Sequence, residues 1–396
     1  MNDEYRLNPI EKTLVKTPET PYLDDDDTDS ADDADIHLIN EGAYGCIYYP
    51  GLNCKGNVEN TQYLTKIQRQ NSTTDNEWEI SRRIRKKIPH YRNYFAPISK
   101  QCPVKIAKKY VKDIKQCQVF KDESNRDIST KSYVSNKIRY LGKTTLDDYF
   151  NQLIGQDNPI YVWKQMMRTH LRLLHGVHAL YHAGILHMDI KSGNILIEPK
   201  QKHPILIDFG ISVERKTMDP SEAFYVFDTY TPWCFEIFVC NYIVRKTPWR
   251  EAPYTHVSKP DIDQLIHAFQ YGTKSKGKTE NHVFSTTVVP VQTLDTFRKN
   301  LRAYMSKFIG VSWKDVYDHL IQNTDATWDS YSVGVVFLRV LDIFSESEPE
   351  RYYDITRDAI HKHYVQLLHD TVFVAPNKRL SIEETIRRIR VLWTSK

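Results

Sequence analysis

The sequence predicts an α+β fold in which strands lead and helices follow, and three observations carry that expectation. From Ile36 to Tyr49 the chain alternates apolar with small or polar residues through HLINEGAYGCIYY, the pattern of a strand, a glycine turn and a returning strand. From Tyr161 to His182 Leu, Met, His and Arg recur at helical spacing, the mark of a core helix. Between helices and strands lies His187–Asn194, read as HMDIKSGN. It follows the helical run Leu171–Tyr181 and precedes the apolar run Ile195–Ile197, so it is a loop joining a helix to a strand.

Composition sets the outer bounds. At 396 residues, 26% charged and 40% hydrophobic, the chain suits one large domain or two ordinary ones. No run of eighteen apolar residues occurs, and MNDEYRLNPIEK lacks the basic-then-apolar order of a signal peptide, so neither a membrane span nor secretion is expected. Cys46, Cys54, Cys102, Cys117, Cys234 and Cys240 form no CxxC pair and no tight ligand spacing; reduced thiols in a cytosol are the expectation. The net charge of +4 conceals an asymmetry, because residues 1–35 hold twelve acids and three bases. The remainder is therefore strongly basic, which suits solubility or the attraction of an acidic substrate, nucleic acid or an anionic membrane surface.

In chain order, residues 1–35 include DDDDTDSADDAD and bury too little apolar surface to order themselves; a disordered acidic tail is expected, with Thr28 and Ser30 as candidate phosphorylation sites. After the Ile36–Tyr49 hairpin and the link PGLNCKGNVENTQ, Tyr63–Ile67 reads as a strand with Lys66 inside it. A lysine in an apolar strand must find a carboxylate or an anion, since burying it alone is costly. Asp75–Lys87 reads as a helix with cap candidates at Ser72–Thr74. Ile80, Ile84 and Ile88 mark its inward face, and at 100° per residue Glu77 lies near that face while Glu79 lies nearly opposite. Glu77 is thus the chosen partner of Lys66, with Glu79 as the fallback. Arg82, Arg83, Arg85, Lys86 and Lys87 form an outer face, either solvated or available to acidic partners. Residues 94–138 are poorly patterned, with mixed strands. Later, helical patterns recur around Asp261–Tyr271 and Leu294–Phe308, separated by a polar Lys/Gly/Ser segment at Gly272–Lys278.

The chemistry concentrates near the loop. Ile205–Ile207, introduced by the turn His203-Pro204, ends at Asp208, and two tightly joined strands would bring Asp189, Asn194 and Asp208 together. With Lys191 beside them, this set suits phosphoryl transfer, which needs a group to orient a hydroxyl, oxygen ligands for magnesium and a cation near the moving charge.

HxDxKxxN followed by Asp208-Phe209-Gly210 resembles the eukaryotic-type protein kinases. Gly42 and Gly45 match the second and third glycines of their GxGxxGxV loop, with Ala43 and Tyr44 between them, Ile47 in the valine place and Asn40 where the first glycine stands. The resemblance implies a two-lobed protein kinase-like fold with a small β-rich N-lobe (about 36–138), a hinge (about 139–142) and a larger α-helical C-lobe (143–396). It implies ATP and Mg2+ as cofactors, Asp189 as catalytic base, Lys191 as a contact to the transferring phosphate, and Asn194 and Asp208 as metal ligands. Gly42, Ala43, Tyr44, Gly45, Ile47, Lys66 and Glu77 would serve the nucleotide, and His187 would orient the loop. Glu236, in the degenerate box TYTPWCFE, would pair with Arg379 of PNKRLSIEE, and Asp329 of WDSYSVG would hold the catalytic loop. An insert of about 241–322 separates these motifs.

Lys191 and Thr229 point to serine/threonine specificity within that resemblance. Met188 stands where HRD has arginine, which implies activity without activation-loop phosphorylation. EGAYGCIYYPGLNCKG and IPHYRNYF are similar to kinases of large nucleocytoplasmic DNA viruses, implying action in host cytoplasm or packaging in the particle. Protein substrates, with acidic ones favoured by the basic surface, and ATP are the implied partners; nucleic-acid binding is compatible with the basic face but not expected. Two other classes fit less well. A catalytically inactive scaffold would have lost a member of the set present here, and a small-molecule phosphotransferase would lack Glu236, Asp329 and Arg379.

Overall fold

The alternation at the start of the chain forms a hairpin in a computed structural model that describes residues 35–42, 45–58, 61–156, 158–218, 233–246, 249–271 and 281–394. Strands β1 (His37–Glu41) and β2 (Gly45–Tyr49) pair antiparallel, Glu41 facing Cys46 and Asn40 facing Ile47, with a bulge between Leu38 and Asn40. Strand β3 (Tyr63–Gln68) follows and sets Lys66 opposite Ile47. Helix α1 (Ser72–Lys87) starts earlier than predicted because Asn71, rather than Ser72–Thr74, caps it, its side chain accepting from the Thr74 N–H. Strands β4 (Lys100–Val104) and β5 (Tyr133–Arg139) complete a five-stranded sheet of order β1-β2-β3-β5-β4.

The helical part begins with α2 (Leu146–Gln156), whose first turn is fixed by a reciprocal cap between Thr145 and Asp148. Helix α3 (Pro159–Ala183) is the long core helix expected from its periodicity. The short strands β6 (Ile185–Leu186), β7 (Ile195–Ile197), β8 (Pro204–Leu206) and β9 (Val213–Glu214) pair as β6 with β9 and β7 with β8. Then come α4 (Phe235–Lys246), α5 (Lys259–Tyr271), α6 (Val291–Ser306), α7 (Trp313–Thr324), α8 (Trp328–Ser347), α9 (Pro349–Thr356), α10 (Ala359–Val372) and α11 (Ile382–Thr394). Helices α5 and α6 match the two helical patterns of the expected insert. Among the described residues no helix is long and apolar enough to cross a membrane.

Two main cores result. One lies on the sheet and gathers Cys46, Tyr48, Ile67, Val104, Ile114, Phe120 and Tyr133; the other fills the helical part from Leu146 to Ile389. Ile80, Ile84 and Ile88 join the helical core rather than the sheet core, so α1 is the element that ties the two together. The segment after α1 adds to this tie: the Leu206 N–H donates to the Tyr94 carbonyl at 2.8 Å, and the Ala96 N–H to Leu206 at 3.1 Å. Gly334 lets α8 approach α10, since a Cβ there would stand 2.8 Å from Val372 Cγ2.

The expectation of reduced thiols is overturned for four of the six cysteines. Cys46 is bonded to Cys117 and Cys54 to Cys102, while Cys234 and Cys240 remain buried thiols. The partners lie 71 and 48 residues apart, so no local spacing announces them. Both bonds brace the poorly patterned 94–138 region against the hairpin side of the sheet.

Candidate active site

Lys66 leaves the middle of β3 and meets Glu77 from α1, with Nζ–Oε distances of 2.9 and 3.1 Å. Glu79 is exposed and pairs with Arg82. The helical angle chose correctly because Glu77 follows the face of Ile80 and Ile84, which α1 must bury. Lys66 Nζ also lies 3.5 Å from Asp208 Oδ1. Burial works against the ammonium, but Glu77 and Asp208 outweigh it and hold its pKa above the ordinary lysine value.

Asp208 closes the β8 side of the cleft with φ +61°, a left-handed conformation that non-glycine residues adopt only when their surroundings enforce it. Phe209 beside it is buried, with its ring tilted against His187 at a centroid distance of 4.9 Å and edge-on to Phe95 at 6.1 Å. Partial burial would raise the Asp208 pKa, yet Lys66, the Gly210 N–H and Lys191 pull it below the usual carboxylate value. The exposed carboxylate is thus held ionised.

The loop 187–194 brings the second cluster together. The Asn194 Nδ2 donates to Asp189 Oδ2 at 2.8 Å and to the Asp189 carbonyl at 2.9 Å, and Lys191 Nζ lies 3.0 Å from Asp189 Oδ1. Burial pushes the Asp189 pKa up to about 6; Lys191 and Asn194 oppose that rise and Asp208 adds to it. The last effect shows that the two aspartates share one electrostatic environment.

The loop is fixed from beneath. Asp329, at the start of α8, accepts from the backbone N–H groups of His187 (2.7 Å) and Met188 (3.0 Å). His187 is fully buried, and burial lowers its pKa to about 4, so it is neutral. Its Nε2–H donates to the Ile207 carbonyl at 3.2 Å while Nδ1 accepts from the Asp189 N–H at 3.3 Å, which sets a single tautomer. Met188 has φ +65° and is buried; its carbonyl accepts from Trp233 Nε1 at 2.8 Å. Glu236 and Arg379 form a fully buried two-bond pair at 2.6 and 2.9 Å.

On the hairpin, Gly45 is required by close approach, as a Cβ would stand 2.5 Å from the Ile67 carbonyl oxygen. The Gly42 N–H donates to the Gly45 carbonyl at 2.8 Å and closes the turn. Ala43 and Tyr44, like Thr28, Ser30, Thr229 and the segment Gly272–Lys278, lie outside the described residues. The outer face of α1 is corrected in part: Arg83 pairs with Glu214, and Lys87 donates to the Ala183 carbonyl at 3.0 Å, so these two bind the helical part rather than solvent or a partner.

Residues that sequence reasoning passed over complete the set. Asn76 Nδ2 donates to the Ser212 carbonyl at 2.9 Å, and Ser212 Oγ donates to the His187 carbonyl at 3.0 Å, linking α1 to the loop through the segment after Asp208. Trp233 stood inside the quoted box without a role. Nothing in the spacing of a lone Asn, Ser or Trp marks such contacts.

The donor set fits a hard cation. Asn194 turns its N–H groups to Asp189, which leaves the amide oxygen as a ligand, and Asp208 offers an ionised, exposed carboxylate; two such oxygens match magnesium preference. No curated protein matches the chain. Residues 128–233, well under half of the chain, match the family model described as Protein kinase domain, a stretch that contains the loop 187–194 and Asp208–Gly210 and supports a eukaryotic-type protein kinase.

Proposed function

We propose that the protein transfers the γ-phosphate of ATP to serine or threonine hydroxyls of protein substrates, with the division of labour set by the two clusters described above. The observation that carries this reading is that the Lys66–Glu77–Asp208 chain and the Asp189–Asn194–Lys191 cluster are assembled together, each with its protonation state held by its neighbours. Asp189, raised toward neutrality by burial, orients the attacking hydroxyl and accepts its proton. Lys66, kept cationic by Glu77, holds phosphate oxygens, and Lys191 offsets the charge that builds on the transferred group. Asp208 and Asn194 would hold magnesium, which when bound neutralises phosphate charge. The hairpin residues Gly42–Gly45 and Ile47 cover the nucleotide.

The two cores support a division into an N-lobe (36–138), a hinge (139–142) and a C-lobe (143–396). Met188 stands where HRD kinases carry a phosphate-binding arginine, and α1 is tied to the loop through Asn76 and Ser212 and to the end of α3 through Lys87 instead; this favours activity without activation-loop phosphorylation. The paired cysteines fit a setting less reducing than cytosol, so of the viral locations implied by the hairpin resemblance we favour the particle.

The test is transfer of labelled phosphate from Mg-ATP to casein, histone and myelin basic protein, followed by identification of the labelled amino acid. Label on serine or threonine that vanishes in Asp208→Asn supports the reading. A folded wild type that neither transfers label nor gains thermal stability from Mg-ATP would sink it.

A further inference from the structure

Away from the cleft, the i and i+4 residues His178 and His182 project from one face of α3, and Glu383 comes from the first turn of α11, 205 positions after His178. His178 Nε2 lies 3.0 Å from Glu383 Oε1 and 2.9 Å from His182 Nε2, and the three ligand atoms all fall within 4.8 Å of one another. His178 is half-buried, while His182 and Glu383 are exposed.

Hydrogen bonding alone cannot satisfy this meeting of atoms. If His178 Nε2 carries its proton toward Glu383, the same N–H must also serve His182 Nε2. If His182 donates instead, the ionised Glu383 faces a bare imidazole nitrogen. One of the two short contacts is therefore always poorly satisfied while both rings are neutral. A cation at the meeting point would accept a lone pair from all three.

The cations nearby have other carboxylates or rings: Arg387 and Arg388 pair with Glu384, Arg215 with Asp325, and Arg390 meets His175.

We infer that His178, His182 and Glu383 form a binding site for a divalent transition metal of the zinc class, which braces α11 against α3. Two imidazoles and a carboxylate are ligands that zinc accepts at about 2.0–2.2 Å in tetrahedral geometry, with water in the fourth position. Tetrahedral placement separates ligand atoms by about 3.3 Å, so the contacts of 2.9 and 3.0 Å need open by only a few tenths of an ångström. The site does not depend on the kinase reading, since none of its residues belongs to the cleft.

The experiment uses the untagged full chain, stripped with a chelator and dialysed against zinc chloride in magnesium-free buffer. Wild type, His182→Ala and Glu383→Gln are compared for zinc bound per chain, for the visible spectrum after cobalt substitution, and for melting temperature. A metal held at Asp208 appears equally in all three and subtracts out. Wild type is expected to bind one equivalent more than His182→Ala, to show a tetrahedral cobalt spectrum that both variants lose or weaken, and to gain roughly 2 °C or more with zinc. His182 is exposed, so its variant should melt like the metal-free wild type. Equal zinc uptake in wild type and His182→Ala, or no uptake beyond the active-site metal, would overturn the inference.

Discussion

In the proposed mechanism Asp189 is poised between two demands: it would have to be ionised to accept a proton, yet its burial favours the neutral acid. With its pKa pushed up to about 6, the proton-accepting form is lost as pH falls through that value. The acid limb of a kcat/KM profile should therefore bend near pH 6, and Asp189→Asn should lower kcat by about 10²–10⁴ while leaving the melting temperature nearly unchanged. A profile flat down to pH 5 would assign the proton acceptor elsewhere. Asp329 has the same raised pKa for the same reason, burial, opposed there by two backbone N–H groups. An Asp whose folded pKa lies above its unfolded value makes a contribution to stability that is present below about pH 4 and lost as pH rises through 6. Asp329→Asn should remove that pH dependence. It would also turn an amide N–H toward one of the loop N–H groups, costing about 1–3 kcal/mol in urea denaturation and lowering kcat by loosening the loop.

Helix α1 is the element whose position decides whether the site is complete, because Lys66 is held by Glu77 on one face and the helical part is held by Asn76, Arg83 and Lys87 on others. Asn76→Ala should weaken the register between α1 and the segment after Asp208. Transfer activity should fall several-fold, with a small change in melting temperature, since the amide is only part-buried. The buried Glu236–Arg379 pair acts at the same scale by locking α4 to the turn before α11. Arg379→Met would strand the Glu236 carboxylate without its partner and should cost about 3–5 kcal/mol, whereas Glu236→Leu combined with Arg379→Met should recover much of that loss. Equal destabilisation by the single and double substitutions would show that the pair's packing, not its charge, matters.

At the scale of the molecule, the sheet and helical cores are stabilised by different means. The helical core is large and continuous, while the sheet core is small, contains the Cys46–Cys117 bond and has the half-buried Cys54–Cys102 bond outside it. Closing loops of 71 and 48 residues limits the unfolded chain and is worth about 4 kcal/mol for each bond in the chain-entropy limit. Full reduction should lower the first transition of a thermal or denaturant melt and leave the helical core's transition nearly in place, with mass shifts after alkylation reporting which cysteines were paired. Melting curves that coincide with and without reductant would remove the stabilising role assigned to these bonds.

How much of this was legible without coordinates differs by region. The glycine hairpin, Lys66, the inward face of α1, the loop 187–194 and Asp208 could be read from the chain because each is a local pattern: alternation, helical angle, or charged residues at fixed spacing between apolar runs. Even the choice of Glu77 over Glu79 followed from 100° per residue. Residues 94–138 resisted because their helices are only four to six residues long and carry no usable period. The roles of Arg83, Lys87 and Asn76, the hydrogen bond from Trp233 to the Met188 carbonyl, the two disulfides and the meeting of His178, His182 and Glu383 belong to the tertiary structure alone. Each depends on residues tens to hundreds of positions apart, and only packing of the cores sets the distances between them. The chain by itself determined which chemical groups were present and which face of each element they occupied; the fold decided which of them meet.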